Sequence, residues 1–83
     1  MANEETIQTV LEDLSLIEKD ATIPKNVRLK IKMTMEILGG NAVNVRLKID
    51  KSLEELGDVA DDPNLPPYTR MQIWSIVSQL ERR

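Results

Sequence analysis

Apolar residues recur three and four positions apart along almost the whole chain, which is the spacing of one face of an α-helix. This spacing predicts four helices, over residues 3–20, 23–38, 42–60 and 65–81, the third beginning after Asn41. Each predicted helix carries a stripe of aliphatic side chains on one face: Ile7, Val10, Leu11, Leu14 and Ile17; Val27, Ile31, Met35 and Leu38; Val45, Ile49, Leu53, Leu56 and Ala60; Ile73, Ile76, Val77 and Leu80. Because the sequence has neither alternating strand runs nor an Asn-Gly hairpin turn, we expect an all-α fold.

The two halves of the chain resemble each other. Shifting the sequence by 42 positions aligns residues 7–38 with residues 49–80 without a gap and gives nine identical pairs among 32. Chance would give roughly two such pairs at ordinary composition. We therefore interpret the chain as one domain, residues 1–83, built from repeat one (about 3–40) and repeat two (about 41–83). The pairs Ile31/Ile73 and Leu11/Leu53 should then be equivalent and nearly free of solvent contact.

Each repeat is predicted to be a helical hairpin with the same turn chemistry. Thr22 and Asn64 are predicted N-caps, followed by a proline in the first turn of each second helix. The repeat also keeps an aspartate in each turn, for which we expect a bond to its own backbone. It keeps the arginines Arg28 and Arg70 as well, which we expect to brace the hairpins through those aspartates, Asp20 and Asp62.

Residues 24–31 resemble the segment that opens the second helix of a HEAT repeat, with a proline, a valine-arginine pair and an apolar residue in order. A period of 42 residues also lies within the range of HEAT-type repeats. Two repeats are fewer than the three that a free solenoid needs. The favoured architecture is therefore a compact four-helix bundle made of two tandem helical hairpins.

Composition narrows the function classes. The 83 residues include 14 acidic and 11 basic side chains, a formal charge of −3, and no cysteine or histidine. Such a chain lacks a histidine general base, a thiol nucleophile, a disulfide and a Cys/His zinc site. The sequence also shows no phosphate-binding loop and no metal-ligand motif, so we expect no catalytic, cofactor-binding or metal-binding residues and no enzymatic activity.

The sequence also bears on location. It has no run of about 20 apolar residues that could span a bilayer. Its first residues, MANEE, lack the basic and apolar regions of a signal peptide. We therefore expect a cytoplasmic protein without a membrane partner.

Three stretches, residues 11–14 (LEDL), 23–28 (IPKNVR) and 61–70 (DDPNLPPYTR), resemble the uncharacterised archaeal UPF family zero-one-four-seven. They are spread over nearly the whole chain. The resemblance implies an archaeal source and a compact four-helix fold. It implies no catalytic or binding residue, because the family brings no established activity with it.

Basic side chains are concentrated on the second helix. Lys25, Arg28 and Lys32 are spaced three and four apart and so share one face, while the first helix is strongly acidic. A nucleic-acid interface needs such a patch, but it usually also has a basic overall charge and aromatic residues for stacking. Here the pI is about 4.9 and the two aromatic residues lie in the last helix. A solvated face is the simpler interpretation, and binding to RNA or the ribosome is the alternative.

Paired carboxylates at Asp61 and Asp62 are the remaining candidate for cation chemistry, since Mg²⁺ and Ca²⁺ take oxygen ligands. The spacing of an EF-hand loop is absent. Asp62 also aligns with Asp20 in the repeat, which indicates a role in the turn. We therefore favour a structural role for both aspartates.

A second apolar stripe, Leu29, Met33 and Ile37, lies on the second helix away from its core face. The aligned positions in the fourth helix are Met71, Ser75 and Gln79, two of which are polar. Further apolar side chains also lie off the main stripes: Leu16, Val43, Leu47, Tyr68 and Met71. A wide core face would absorb the stripe, whereas an exposed stripe would suit a contact with a second copy. Taken together, the sequence predicts a small non-enzymatic protein-interaction or assembly module.

Overall fold

Four helices account for most of the chain. The computed structural model describes residues 3–40 and 44–81, and in it the helices are α1 (Glu4–Glu18), α2 (Lys25–Gly39), α3 (Val45–Ala60) and α4 (Pro67–Glu81). No strand occurs in these two stretches. The all-α prediction is confirmed, and every helix end lies within three residues of its predicted position. Within the same stretches, no helix combines the length and the apolar character needed to cross a membrane.

Two asparagines begin helices. The Asn3 side chain accepts a hydrogen bond from the Thr6 backbone N–H at 2.8 Å, and the Asn44 side chain accepts one from the Leu47 N–H at 3.2 Å. Each asparagine thereby pairs one of the N–H groups that a first helical turn leaves without a partner. Asn41, after which the third helix was predicted to begin, and Val43, one of the apolar residues off the main stripes, lie outside the described residues.

The helices pack as a closed ring in which each one contacts two neighbours. α1 packs against α2 and α4, and α3 packs against the same two helices. Among the described residues, α1 does not pack against α3, nor α2 against α4. This arrangement confirms the predicted four-helix bundle. It also places α2 and α4 at diagonal corners, so that their outer faces point in opposite directions.

The core is aliphatic and drawn from all four helices and both hairpin turns. Its buried side chains are Ile7, Val10, Leu14, Ile17, Ile23, Val27, Ile31, Leu38, Ile49, Leu56, Val59, Ala60, Leu65, Ile73, Ile76, Val77 and Leu80. Ile31 and Ile73 are both 0% exposed, as the repeat predicts. Leu11 and Leu53 are only partly buried, since each sits at the edge of its helix's inward face. The expectation of nearly complete burial was therefore wrong for the two leucines. The repeat itself stays a prediction.

Three hydroxyl-bearing residues of the described chain are buried, and two of them, in α2 and α3, have no solvent exposure. Thr34 in α2 and Ser52 in α3 are both 0% exposed. Their hydroxyls donate to carbonyls one turn earlier in the same helix, Thr34 to Lys30 at 2.9 Å and Ser52 to Lys48 at 2.7 Å. Each hydroxyl thus enters the core with its donor satisfied, which removes most of the cost of burying it.

The hairpin turns are organised by aspartates. Asp20 Oδ1 accepts hydrogen bonds from the Thr22 N–H at 2.9 Å and from the Thr22 hydroxyl at 2.6 Å. Asp62 Oδ1 accepts one from the Asn64 N–H at 2.8 Å. The predicted shared role of these aspartates is therefore confirmed.

The prediction that Thr22 and Asn64 are N-caps was wrong. α2 begins at Lys25 with Pro24 as its N-cap, and no side chain caps it. A residue that precedes proline is driven towards extended backbone, so Ile23 cannot belong to the helix. α4 likewise begins at Pro67, three residues beyond Asn64.

Arg28 and Arg70 brace the turns, but not through the aspartate carboxylates as predicted. Arg28 Nε donates to the Ile23 carbonyl at 3.0 Å. Arg70 donates from Nε to the Ala60 carbonyl at 2.9 Å and from Nη2 to the Asp62 carbonyl at 2.8 Å. The Asp62 carboxylate is instead bonded to the Asn64 N–H and, at 3.3 Å, to the Asn26 side chain, which links the two turns at one end of the bundle.

We expect Ile73→Ala to lower the free energy of unfolding by ~2–5 kcal/mol, because truncation leaves a cavity at a site without solvent contact. Leu53→Ala should cost less, since the Leu53 side chain is only partly buried. Urea denaturation followed by circular dichroism measures both values. Equal losses for the two variants would contradict the different burial of these side chains.

The dependence of thermal stability on pH should reveal the contribution of Asp20 in the turn between α1 and α2. The hydroxyl and backbone N–H of Thr22, aided by the nearby charge of Arg28, lower the pKa of Asp20 in the folded chain. The stabilisation that follows is present above the ordinary aspartate pKa of about 3.9 and is lost as the pH falls through the lowered value. In Asp20→Asn, which keeps a similar shape, the loss of Tm relative to wild type should be greatest near pH 7 and vanish in strong acid. A Tm difference that is independent of pH would count against this role.

Candidate interaction surfaces

The acidic residues after α3 serve the turn. Asp61 is the C-cap of α3 and is exposed, while both carboxylate oxygens of Asp62 accept hydrogen bonds from protein groups. Across residues 3–40 and 44–81, no three acidic side chains come together as a metal site would require. The geometry of the turn thus favours the structural role for both aspartates.

The predicted basic residues lie together, but they are not equally accessible. Lys25 and Lys32 are exposed, whereas Arg28 is half-buried and holds the Ile23 carbonyl. They line a shallow depression of about 350 Å³ together with Glu18, Lys19 and Leu29. Sequence reasoning missed Lys19, because it follows the end of α1 and reaches this depression only through the hairpin.

The predicted apolar stripe of α2 is divided in the structure. Leu29 and Met33 are 52% and 54% exposed, whereas Ile37 is half-buried. Leu29 also lines the basic depression, so apolar and cationic groups are contiguous there. We call Leu29, Met33, Lys25 and Lys32 the α2 surface. Whether Leu29, Met33 and Ile37 form an interface stays a prediction.

A further apolar area lies on α4, at the diagonal corner of the bundle. Tyr68, Met71 and Trp74 are 73%, 71% and 49% exposed, and we call these three residues the α4 surface. Sequence reasoning noted Tyr68 and Met71 as spare apolar residues but did not group them with Trp74. Their spacing of three was the available signal, since it places them along one side of a helix.

A groove separates the α4 surface from α1. It has a volume of about 240 Å³ and is lined by residues of both helices: Asp13, Leu16, Ile17, Gln72, Ser75 and Ile76. Leu16 stands at this groove with 72% of its surface exposed. Among the described residues that line the groove, Asp13 is the one with a charge. Exposed apolar side chains therefore continue from α4 onto α1.

Known proteins resemble this chain over nearly its whole length. A model of the "Uncharacterised protein family (UPF0147)" matches residues 1–82. A UPF0147 protein of Methanosarcina mazei is 37% identical over 77 residues, covering 93% of this chain and 83% of the relative. One of Archaeoglobus fulgidus is 40% identical over 85 residues, covering 92% and 86%.

A solved structure shares the fold. The crystal structure of "unknown function protein MMP1188" superposes with a TM-score of 0.91 at 29% identity, over 99% of this chain and 93% of the other. The family match and the archaeal relatives confirm the resemblance seen in residues 11–14, 23–28 and 61–70. The chain belongs to the uncharacterised protein family UPF0147.

Proposed function

We propose that this protein is a non-enzymatic protein-interaction module that binds a partner through the α2 surface. The observation that carries the proposal is that apolar and cationic side chains lie side by side on one exposed face. Leu29 and Met33 are about half exposed, and Leu29 shares a depression with three lysines and an arginine. An exposed apolar patch that is rimmed by polar or charged groups is a mark of a protein interaction site.

The charge of α2 favours an acidic partner. Four basic residues and a single acidic one, Glu36, lie within Lys25–Gly39. The two-fold contact through α2 that the sequence suggests would bring two such helices together, and like charges placed face to face oppose association. A protein segment whose apolar side chains are flanked by carboxylates would instead match both components of the α2 surface.

The proposal of a non-enzymatic role rests on the side chains available. The depression beside α2 is lined by lysines, an arginine, a leucine and Glu18, a set without a nucleophile paired with a base. The groove beside α4 holds Asp13 and a serine, and the chain has no histidine to activate that serine. The side chains of these two surfaces therefore support a role in binding rather than in catalysis.

RNA binding is the second candidate, and the basic depression is the observation that favours it. Lys19, Lys25 and Lys32 are exposed there and could contact phosphates. Two features make it the weaker candidate. Arg28 already holds a backbone carbonyl, and the aromatic residues Tyr68 and Trp74 lie on α4, at the diagonal corner from the cations.

A pull-down from the lysate of an archaeon that carries a family member tests the α2 surface. Wild-type protein should retain the same partner with and without nuclease, and that partner should be lost with Met33→Lys or with Lys25→Glu/Lys32→Glu. Because these side chains are exposed, the variants should remain folded by circular dichroism. Met71→Ser on the opposite corner is the matched control and should leave retention unchanged. A partner retained equally by all variants would exclude the α2 surface.

The RNA alternative makes a different prediction. Wild-type protein should shift native RNA at low salt, with an affinity that falls steeply as salt is raised. Lys25→Glu/Lys32→Glu should abolish the shift, whereas Met33→Ser should leave it nearly intact. The absence of any shift at low salt with folded wild-type protein would remove this candidate.

A further inference from the structure

We propose that the α4 surface is the two-fold contact between two copies of this chain, with Met71 near the two-fold axis. The α4 surface lies on a different helix from the α2 surface, and the inference stands on separate observations. Tyr68, Met71 and Trp74 project from one side of α4, and Met71 is the middle residue of the three.

The charge distribution of α4 favours a second copy of the chain as the occupant. A two-fold contact brings residues near its axis close to their own symmetry mates, so any charged side chain there meets a like charge. From Met71 to Leu80, α4 holds no charged residue at all. The outer face of α4 is formed by exposed, uncharged residues as far as Ser78, and the charged Glu81 follows at the helix end. The uncharged residues are Pro67, Tyr68, Met71, Trp74, Ser75 and Ser78. The other three helices carry several charges each, so α4 alone meets this requirement.

The α4 surface also has both shape features that a two-fold contact needs. It has both protruding side chains and a groove beside them, between α1 and α4. In a two-fold contact the same surface must provide both the protruding side chains and the groove that receives them, since both copies present that surface. The groove walls include Leu16 and Ile76, which are suited to receive an apolar side chain from the partner. Aromatic and methionine side chains are moreover enriched at the centres of interfaces.

The size of the patch predicts a weak dimer. A 15-residue helix is about 22 Å long, and with a neighbour 8–10 Å away the pair presents a strip about 20 Å wide. The flat area is then roughly 440 Å², below the ~800 Å² per partner of a standard interface. We therefore expect dissociation at micromolar concentrations rather than a permanent dimer.

Sedimentation velocity and intrinsic fluorescence test this dimer directly. The full chain should pass from monomer to dimer between about 1 and 500 μM, a range set by the weak interface expected. Trp74, the single tryptophan, is 49% exposed and lies in the contact, so its emission should shift to shorter wavelength over the same range. Met71→Glu should abolish the dimer and the shift over this whole range, while circular dichroism remains unchanged.

A mixing experiment tests the two-fold axis itself. Met71→Glu and Met71→Lys should each be monomeric alone, because each places like charges across the axis. Mixed in equal amounts, they should form a heterodimer, since the same position then pairs opposite charges. Met71→Ser, which brings no charge, is the variant to use if either charged variant fails to fold, and it should weaken the dimer at least tenfold.

Controls separate this proposal from the proposed function. Met33→Glu on α2 should leave the dimer intact, and Met71→Ser should leave partner binding intact. Raised salt should preserve the dimer, because the centre of the contact is uncharged and apolar contacts are not screened, whereas it should weaken the binding of an acidic partner on α2. A wild type that is monomeric at every concentration, or a dimer lost with Met33→Glu and kept with Met71→Glu, would overturn the proposal.

Discussion

Burying enough aliphatic surface with four short helices is the constraint on which the rest of this structure depends. The chain has no cysteine and no histidine, so neither a disulfide nor a Cys/His zinc site can compensate for a small core. Each helix therefore gives one face to a shared centre, where Ile31 of α2 and Ile73 of α4 lose all contact with solvent. A closed ring follows from this, and with it the diagonal placement of α2 and α4.

The hairpin turns also leave the core volume to aliphatic side chains, because their backbone groups are hydrogen-bonded by side chains at the surface. Arg70 holds the carbonyls of Ala60 and Asp62 at the end of α3, where a helix leaves carbonyls unpaired. The aspartates are thereby free to accept N–H groups of the turns that follow them. Ile23 and Leu65, buried in the same turns, tie this polar arrangement to the core.

Helix positions and the central core residues could be predicted from the sequence, since both follow from the spacing of apolar residues. The N-cap of α2 and the full set of basic residues in the depression were not predicted correctly, because both depend on the conformation of the hairpin turn. Thr22 has the chemistry of an N-cap, but the proline that follows Ile23 delays the helix and leaves Thr22 to Asp20. Lys19 lines the basic depression only because the hairpin places the end of α1 beside α2. Neither outcome can be obtained from residue spacing within one helix.

A comparison of aligned positions in α2 and α4 shows which residues the fold determines and which it does not. Facing inward, the two helices carry identical residues at two central positions, with Ile31 aligned to Ile73 and Leu38 to Leu80. Facing outward they differ in kind, since Lys32 aligns with Trp74 and Met33 with Ser75. The core would accept either outer face, because neither contributes to it. The fold therefore determines neither the lysines of one corner nor the uncharged aromatic surface of the other, and the two proposed contacts lie on these two unconstrained faces.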